Sequence, residues 1–147
     1  LQEFVKTKNS VADAVLNAKL MYCKEQDIPA VISVDKNIRG LTQTELCCVL
    51  GNLLDNAIEA ELKLSKAQRK IEIKIVMIEE VLDILLRNRI AEPVLQDVQK
   101  VKNIGTTKQD VENHGFGLKN VREIVKKYDG FMDLYEDSGC FCVHIRI

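Results

Sequence analysis

The residues whose types and spacing best suit chemistry lie in the segment GNLLDNAIEA, residues 51–60. In a helix with 3.6 residues per turn, its four polar side chains fall within roughly 100° of one another; they are Asn52, Asp55, Asn56 and Glu59. Asparagine and aspartate are poor helix formers, because their short side chains compete for the backbone. Their oxygens on a rigid helix suit a hard cation such as Mg²⁺, and amides can also orient a phosphate or a water. A polar face that is simply solvated is the alternative interpretation.

A second candidate segment, HGFGL at residues 114–118, places two glycines directly before a predicted helix. Gly115 and Gly117 allow close approach of the backbone to a ligand, and the helix N-terminus offers free N–H groups and the positive end of its dipole. This predicts a phosphate site. The upstream segment GTTK could add hydroxyls and a cation to the same phosphates through Thr106, Thr107 and Lys108. Taken singly, the first segment is better explained as a common glycine before a helix, and the second as an ordinary exposed turn.

Hydrophobic periodicity predicts the elements that position these residues. Three helices are expected, over about Ser10–Gln26, Thr42–Lys63 and Leu118–Tyr128. Their predicted ends are an N-cap at Asn9 or Ser10, a capping box of Thr42 and Glu45, and Gly130 as the C′ residue. Period-two alternation predicts five strands, at Ala30–Val34, Ile71–Met77, Val81–Arg87, Phe131–Tyr135 and Cys140–Ile147.

Four of the five strands pair as two hairpins along the chain, whereas the helices are spread between them. This order predicts an α/β (α+β) two-layer sandwich, with a mostly antiparallel mixed sheet of about five strands and three helices on one face. The whole chain, residues 1–147, is expected to form a single domain. It begins at Leu1, which predicts a fragment of a longer protein.

Composition narrows the function classes. The formal net charge is −1, which gives no case for nucleic acid or an anionic membrane as a partner, since both require a basic surface. The chain has no apolar run near the roughly 20 residues that a membrane span requires. The odd number of cysteines argues against a disulfide framework and favours reduced, buried thiols in the cytosol; they are Cys23, Cys47, Cys48, Cys140 and Cys142.

The segments GNLLDNAIEA and GTTKQDVENHGFGLKNV together resemble two signature boxes of the GHKL, or Bergerat-fold, ATPases. The form NLLDN followed by HGFGL-K-N-V is most similar to sensor histidine kinases, and among them to the peptide-pheromone (quorum-sensing) receptors. The opening NSVADAVLNAKLMYCKEQDI also resembles that subgroup. The resemblance spans nearly the whole chain and implies the Bergerat ATP-binding fold, with ATP and Mg²⁺ as cofactors.

The resemblance implies roles for individual residues. Asn56 matches the asparagine that coordinates Mg²⁺ between the nucleotide phosphates, and Asn52 matches the position near the γ-phosphate. Gyrase-like relatives have a glutamate general base at this second position, and an amide there fits a kinase that must not hydrolyse its ATP. Glu59 stands where many histidine kinases have a lysine that contacts phosphate, which puts a direct role for it in doubt.

The glycine box has implied roles of the same kind. Its backbone amides hold the phosphates in the family, and the matching residues here are Gly115, Phe116, Gly117 and Leu118. Lys108 and His114 would lie in the mobile lid and neutralise phosphate charge, beside Thr106 and Thr107.

The chain departs from the family in one box. Histidine kinases usually carry a DxGxG motif after the second strand of the first hairpin, and its aspartate accepts a hydrogen bond from the adenine amino group. Here the sequence reads LLRNRIAEPV, with Asn88 in place of the aspartate and no glycines after it. A neutral amide is a weaker acceptor than a carboxylate. We therefore expect weaker nucleotide binding than in kinases with the full box.

The implied function is transfer of the γ-phosphoryl group of ATP to a histidine N-terminal to this fragment, and from there to a response regulator. His114 and His144 are poor acceptor candidates, because one lies in the glycine segment and the other in the last strand. The full-length protein is expected to be a homodimer and a bacterial membrane receptor, with this domain in the cytoplasm. The alternatives are a catalytically silent GHKL interaction module and an anti-sigma-factor-like serine kinase.

Overall fold

The computed structural model describes residues 4–93 and 115–147. The described part contains three α-helices, one short 3₁₀ turn at Lys66–Gln68 and five strands. The helices are α1 (Ser10–Glu25), α2 (Gln43–Leu62) and α3 (Gly115–Lys127). The strands are β1 (Ala30–Val34), β2 (Ile71–Ile78), β3 (Val81–Arg89), β4 (Phe131–Asp137) and β5 (Cys140–Arg146).

Side-chain caps fix where the first two helices begin. The side chain of Asn9 accepts a hydrogen bond from the backbone N–H of Ala12 at 3.0 Å, so α1 starts at the next residue. Thr42 and Glu45 form the predicted capping box: the Thr42 hydroxyl accepts from the Glu45 N–H at 3.1 Å, and the Glu45 carboxylate accepts from the Thr42 N–H at 2.9 Å. Such a box satisfies two otherwise unpaired N–H groups. Both predicted N-termini are confirmed.

The five strands form one mixed sheet in the order β1-β2-β3-β5-β4. β1 pairs with β2 in parallel, and every other neighbouring pair is antiparallel. The register places Ile73 opposite Leu86 and Ile75 opposite Ile84, and both β3 residues then lie opposite valine or isoleucine of β5. Apolar side chains therefore align across the three central strands on one face of the sheet.

The main core lies between that sheet face and α2. Leu46, Leu50, Leu53 and Leu54 of α2 are buried in one cluster with the aligned residues of the central strands. α1 and α3 flank α2 on either side and complete the helical layer. The predicted two-layer α/β sandwich, with a mixed five-stranded sheet, is confirmed.

The opposite face of the sheet carries a charged cluster. Asp83 of β3 is buried, His144 Nε2 of β5 lies 2.9 Å from its Oδ2, and Arg146 Nε donates to the same oxygen at 2.8 Å. Burial alone would raise the pKa of Asp83, but the hydrogen bonds from His144 and Arg146 bring it below its ordinary value. His144 is thus a partnered histidine of the last strand.

The structure corrects two expectations, that Gly130 is the C′ residue of α3 and that the thiols are all buried. Asp129, at φ 53°, adopts the left-handed conformation after α3, and Gly130 does not. Among the thiols, Cys23 and Cys142 are buried, Cys48 and Cys140 are half-buried, and Cys47 is exposed. The apolar run around Cys47 therefore does not bury it. Among the described residues, no helix combines the length and apolar character that crossing a membrane requires.

Glu45 connects the start of α2 to the end of α3. Besides its capping contact, its carboxylate accepts hydrogen bonds from Lys127 Nζ at 2.7 Å and from the Tyr128 hydroxyl. The bond from Lys127, followed by that from Tyr128, lowers the pKa of Glu45 to about 2 from the ordinary 4.5. Because the folded-state pKa is depressed, these contacts contribute their full stability above pH 4.5. That contribution is lost as the pH falls towards 2.

We expect Glu45→Gln to lower the melting temperature by about 3 °C near neutral pH. Glutamine preserves the capping box but cannot be the anion that Lys127 and Tyr128 stabilise. The difference from the natural chain should shrink between pH 4.5 and 2, as measured by thermal unfolding across that range. A difference that does not change with pH would contradict this account.

Candidate functional site

A pocket opens between α2, the ends of β3 and β5, and the first turn of α3. Its space, counted out to the solvent at its mouth, is about 490 Å³. Its walls are mostly apolar, and the polar side chains that the described residues contribute are two asparagines. The lining residues are Leu53, Asn56, Ala57, Ala60, Leu86, Asn88, Ile90, Leu118, Phe141 and Val143.

Asn56 carries an unpaired polar atom in this pocket. Its Nδ2 is buried, and it has no hydrogen-bond partner among the described residues. It is the one buried side-chain nitrogen or oxygen in that part of the chain for which this is so. Leaving a buried amide unpaired costs about 1–3 kcal/mol, so such groups are rare and each calls for an explanation, such as a bound ligand, ion or water. Asn56 is the polar side chain here that a ligand would satisfy.

Asn52 brings the two predicted motifs into contact. It lies one helical turn before Asn56, and its Nδ2 donates to Cys48 Sγ at 3.2 Å. A Cβ atom placed on Gly117 would lie 3.1 Å from Asn52 Oδ1 and 3.4 Å from Asn52 Cβ. Any side chain at Gly117 would therefore press on Asn52. The glycine allows the start of α3 to approach the polar side of α2, which sequence spacing alone could not establish.

The glycine segment differs in one respect from the expectation. α3 begins at Gly115, so both glycines lie in its first turn and not in a loop before it. The first N–H groups of a helix have no partner within the helix, and they carry the positive end of its dipole. Leu118 follows on the same helix and lines the pocket. The start of α3 therefore places N–H donors beside the pocket, next to Asn52.

Asn88 lies within β3, as its next-to-last residue, and it is 5% exposed. Its Nδ2 donates to Glu61 Oε2 at 3.4 Å and to the backbone carbonyl of Arg89 at 3.2 Å. Glu61 is fully buried and was missed by the sequence reasoning. Its spacing held a signal, because Leu54, Ile58 and Glu61 recur at the three- and four-residue intervals of one helix face. A carboxylate on an apolar helix face points to a buried partner.

The predicted polar stripe of α2 divides into two parts. Asn56 lines the pocket and Asn52 lies against Gly117 at the start of α3, whereas Asp55 and Glu59 are exposed and line no part of the pocket. Asp55 forms an ion pair with Lys19 of α1 at 2.5 Å. Four further predicted site residues lie outside the described residues, namely Thr106, Thr107, Lys108 and His114. The backbone of Phe116 lies in the first turn of α3.

The residues present fit a magnesium ion held mainly by its ligand. Mg²⁺ is usually bound by one or two protein oxygens together with substrate phosphates, and not by a full cage of protein groups. Asn56 lines the pocket, and its amide oxygen is the atom that could ligate Mg²⁺, while its unpaired Nδ2 could donate to a phosphate oxygen. Within residues 4–93 and 115–147, no cluster of three His, Cys, Asp or Glu side chains could hold a metal by itself. A metal here would therefore depend on a bound phosphate ligand.

Comparisons with known proteins agree with this geometry. A family model described as a GHKL domain matches residues 41–147, more than half of the chain. The catalytic domain of histidine kinase ThkA superposes with a TM-score of 0.75 at 20% identity, covering 99% of this chain and 97% of that one. The comparison with curated proteins finds no match.

Two further solved structures share the fold. The Acinetobacter baumannii histidine kinase AdeS has a TM-score of 0.68 at 16% identity, covering 97% of this chain and 64% of that one. The mycobacterial sensor histidine kinase MprB has a TM-score of 0.65 at 16% identity, covering 93% and 91%. At this level of identity the likeness establishes the architecture, which is that of histidine kinase catalytic domains.

Proposed function

Because the chain belongs to the GHKL domain family, we propose that it is the ATP-binding catalytic domain of a sensor histidine kinase. One observation carries the proposal: Asn56, whose buried Nδ2 is unpaired, lines an apolar pocket beside the glycine-rich start of α3. An apolar slot suits a purine base, and helix N–H groups suit phosphates. The base and the phosphates of ATP thus have adjacent binding sites. The quorum-sensing subgroup suggested by the motifs is part of the proposal.

In this proposal the base enters the pocket between Leu53, Leu86 and Val143, and the phosphates extend towards Gly115 and Gly117. Asn56 would hold Mg²⁺ together with the phosphate oxygens. Such an ion neutralises phosphate charge during transfer. The N–H groups at the start of α3 orient the phosphates and add positive potential. Asn52, next to Gly117, stands where it can donate to or accept from the terminal phosphate region.

The chemistry of the site favours transfer over hydrolysis. Gyrase-like relatives use a glutamate to take a proton from water, and an amide such as Asn52 cannot act as that base. The described lining of the pocket contains no carboxylate and no histidine. Glu61 is committed to three hydrogen bonds, and Glu59 is exposed. Phosphoryl transfer requires mainly positioning and charge neutralisation, which these residues can provide.

The acceptor histidine is proposed to lie in a helix outside residues 1–147. His144 is unsuited, because it lies on the sheet face opposite the pocket and is bonded to Asp83. A partner helix in a receptor dimer, a response regulator that takes the phosphoryl group, and a cytoplasmic position under a bacterial membrane receptor complete the proposal. The silent interaction module stays the alternative, since the neutral Asn88 stands where related kinases have an aspartate.

The proposal is tested by calorimetric titration of the chain with ATP, with and without Mg²⁺. We expect saturable binding that Mg²⁺ strengthens, with an affinity weaker than low micromolar. No binding at millimolar ATP would contradict the proposal and favour the interaction module. In the natural protein that carries this domain, incubation with γ-labelled ATP should label a histidine, in an acid-labile and alkali-stable form. Binding without such labelling would also favour the module.

A further inference from the structure

Glu61 is a buried carboxylate that the proposed function does not yet use. It lies in the last turn of α2 and is fully buried. Its Oε1 accepts from the backbone N–H groups of Lys70 at 2.7 Å and Arg89 at 3.3 Å, and its Oε2 accepts from Asn88 Nδ2. Burial raises the pKa of Glu61 above its ordinary value, against the effect of these hydrogen bonds. A carboxylate is expensive to bury, so its position calls for a role.

The contacts of Asn88 determine which way its amide faces. Its NH₂ group donates both to Glu61 Oε2 and to the carbonyl of Arg89. A carbonyl oxygen only accepts hydrogen bonds, and the same is true of an ionised carboxylate. The amide nitrogen of Asn88 is therefore the atom that faces Glu61 and the Arg89 carbonyl. Because the carboxamide is planar, its oxygen lies on the opposite side of the group. Asn88 also lines the pocket. The oxygen is therefore the polar atom that Asn88 offers to a ligand there.

We propose that Glu61 is a positioning residue that holds the Asn88 amide with its oxygen towards the pocket, so that the pocket selects adenine over hypoxanthine or guanine. The inference rests on the proposed function, since it needs a purine nucleotide in this pocket. Adenine presents an amino group at its six-position, which donates to the Asn88 oxygen. Hypoxanthine and guanine present a carbonyl oxygen there, which faces the Asn88 oxygen with no hydrogen between them.

The same contacts explain why residue 88 is an asparagine and not an aspartate. An aspartate at this position would place a second carboxylate against Glu61, in a buried site where like charges repel strongly. One carboxylate and one amide form a compatible pair, because the amide donates and the carboxylate accepts. Related kinases carry the carboxylate on the strand, whereas here it is Glu61 on the helix α2. Exchanging the two groups should therefore be better tolerated than changing either alone.

The test compares Mg²⁺-ATP and Mg²⁺-ITP by calorimetry for the natural chain and its variants. The natural chain should bind ATP about tenfold or more tightly than ITP. This is the expected effect of one buried hydrogen bond to Asn88 that ATP makes and ITP cannot make. Glu61→Gln removes an acceptor and places an NH₂ group against that of Asn88. The preference for ATP should then fall below about threefold. A purely structural role of Glu61 would weaken both nucleotides equally and leave their ratio unchanged.

A second arm does not depend on the behaviour of Glu61→Gln alone. Asn88→Asp should weaken ATP binding about tenfold or more, and adding Glu61→Gln should restore part of that loss and the preference for ATP. Glu45→Gln, the same change at the other end of α2, is the matched control and should keep the natural ratio. Additive effects of the two changes, or an unchanged ratio in Glu61→Gln, would overturn the inference. Failure of the natural chain to bind either nucleotide would overturn the proposed function as well.

Discussion

An Asn56→Ala variant is expected to bind Mg²⁺-ATP at least about tenfold more weakly than the natural chain, and yet to be equally or more stable. The loss of affinity follows from the loss of the amide that would hold Mg²⁺ beside the phosphates. The gain in stability follows because the substitution removes a buried nitrogen that has no partner among the described residues. Alanine is also a better helix former than asparagine. The free energy of unfolding should rise by about 1 kcal/mol.

Asn17→Ala is the matched control for this prediction. Asn17 also lies on a helix, but both of its polar atoms are bonded to Val5: its Oδ1 accepts from the Val5 N–H at 2.7 Å, and its Nδ2 donates to the Val5 carbonyl at 2.9 Å. Removing it should cost about 1–2 kcal/mol and leave ATP affinity unchanged. Urea unfolding and calorimetry measure both properties. If Asn56→Ala lost stability as Asn17→Ala does, or kept its ATP affinity, Asn56 would be an ordinary structural asparagine.

The parts of the fold that the sequence predicted correctly depend on local rules. The start of α2 follows from Thr42 and Glu45, which are three residues apart, and the alternation in β2 and β3 follows from the pleat of a half-buried strand. These signals are contained in short windows of the chain. They were sufficient to predict the three helices and five strands of the described part of the chain and their two-layer arrangement.

The parts of the site that were missed depend on contacts between distant segments. The approach of Gly117 to Asn52 and the hydrogen bond between Asn88 and Glu61 join residues on different elements. No periodicity within either element indicates its partner. The polar stripe of α2 could not be resolved from the sequence for the same reason. Asp55 pairs with Lys19 of the neighbouring α1 and so does not act together with the asparagines. Motif resemblance suggested the pocket, but the roles of single residues needed the packing.

The end of α3 is a further case in which a tertiary contact overrides a local rule. The sequence predicted Gly130 as the C′ residue, the position that usually takes the left-handed conformation, yet Asp129 adopts that conformation. The requirement for glycine at position 130 has another cause. A Cβ atom there would lie 2.5 Å from the backbone oxygen of Arg146 and 3.2 Å from that of Val125. Gly130 is needed because β5 and the end of α3 both approach its backbone closely.

We therefore expect Gly130→Ala to destabilise the chain by about 3 kcal/mol or more, since the clash is with backbone that cannot rotate away. Gly51→Ala is the matched control, because a Cβ atom at this interior position of α2 meets nothing within 4 Å. That change should stabilise the chain by about 0.5–1 kcal/mol through helix propensity. Urea midpoints of the two variants should thus move in opposite directions. A loss below about 1 kcal/mol for Gly130→Ala would mean that β5 can shift, and that the connection from α3 to the sheet is looser than its contacts indicate.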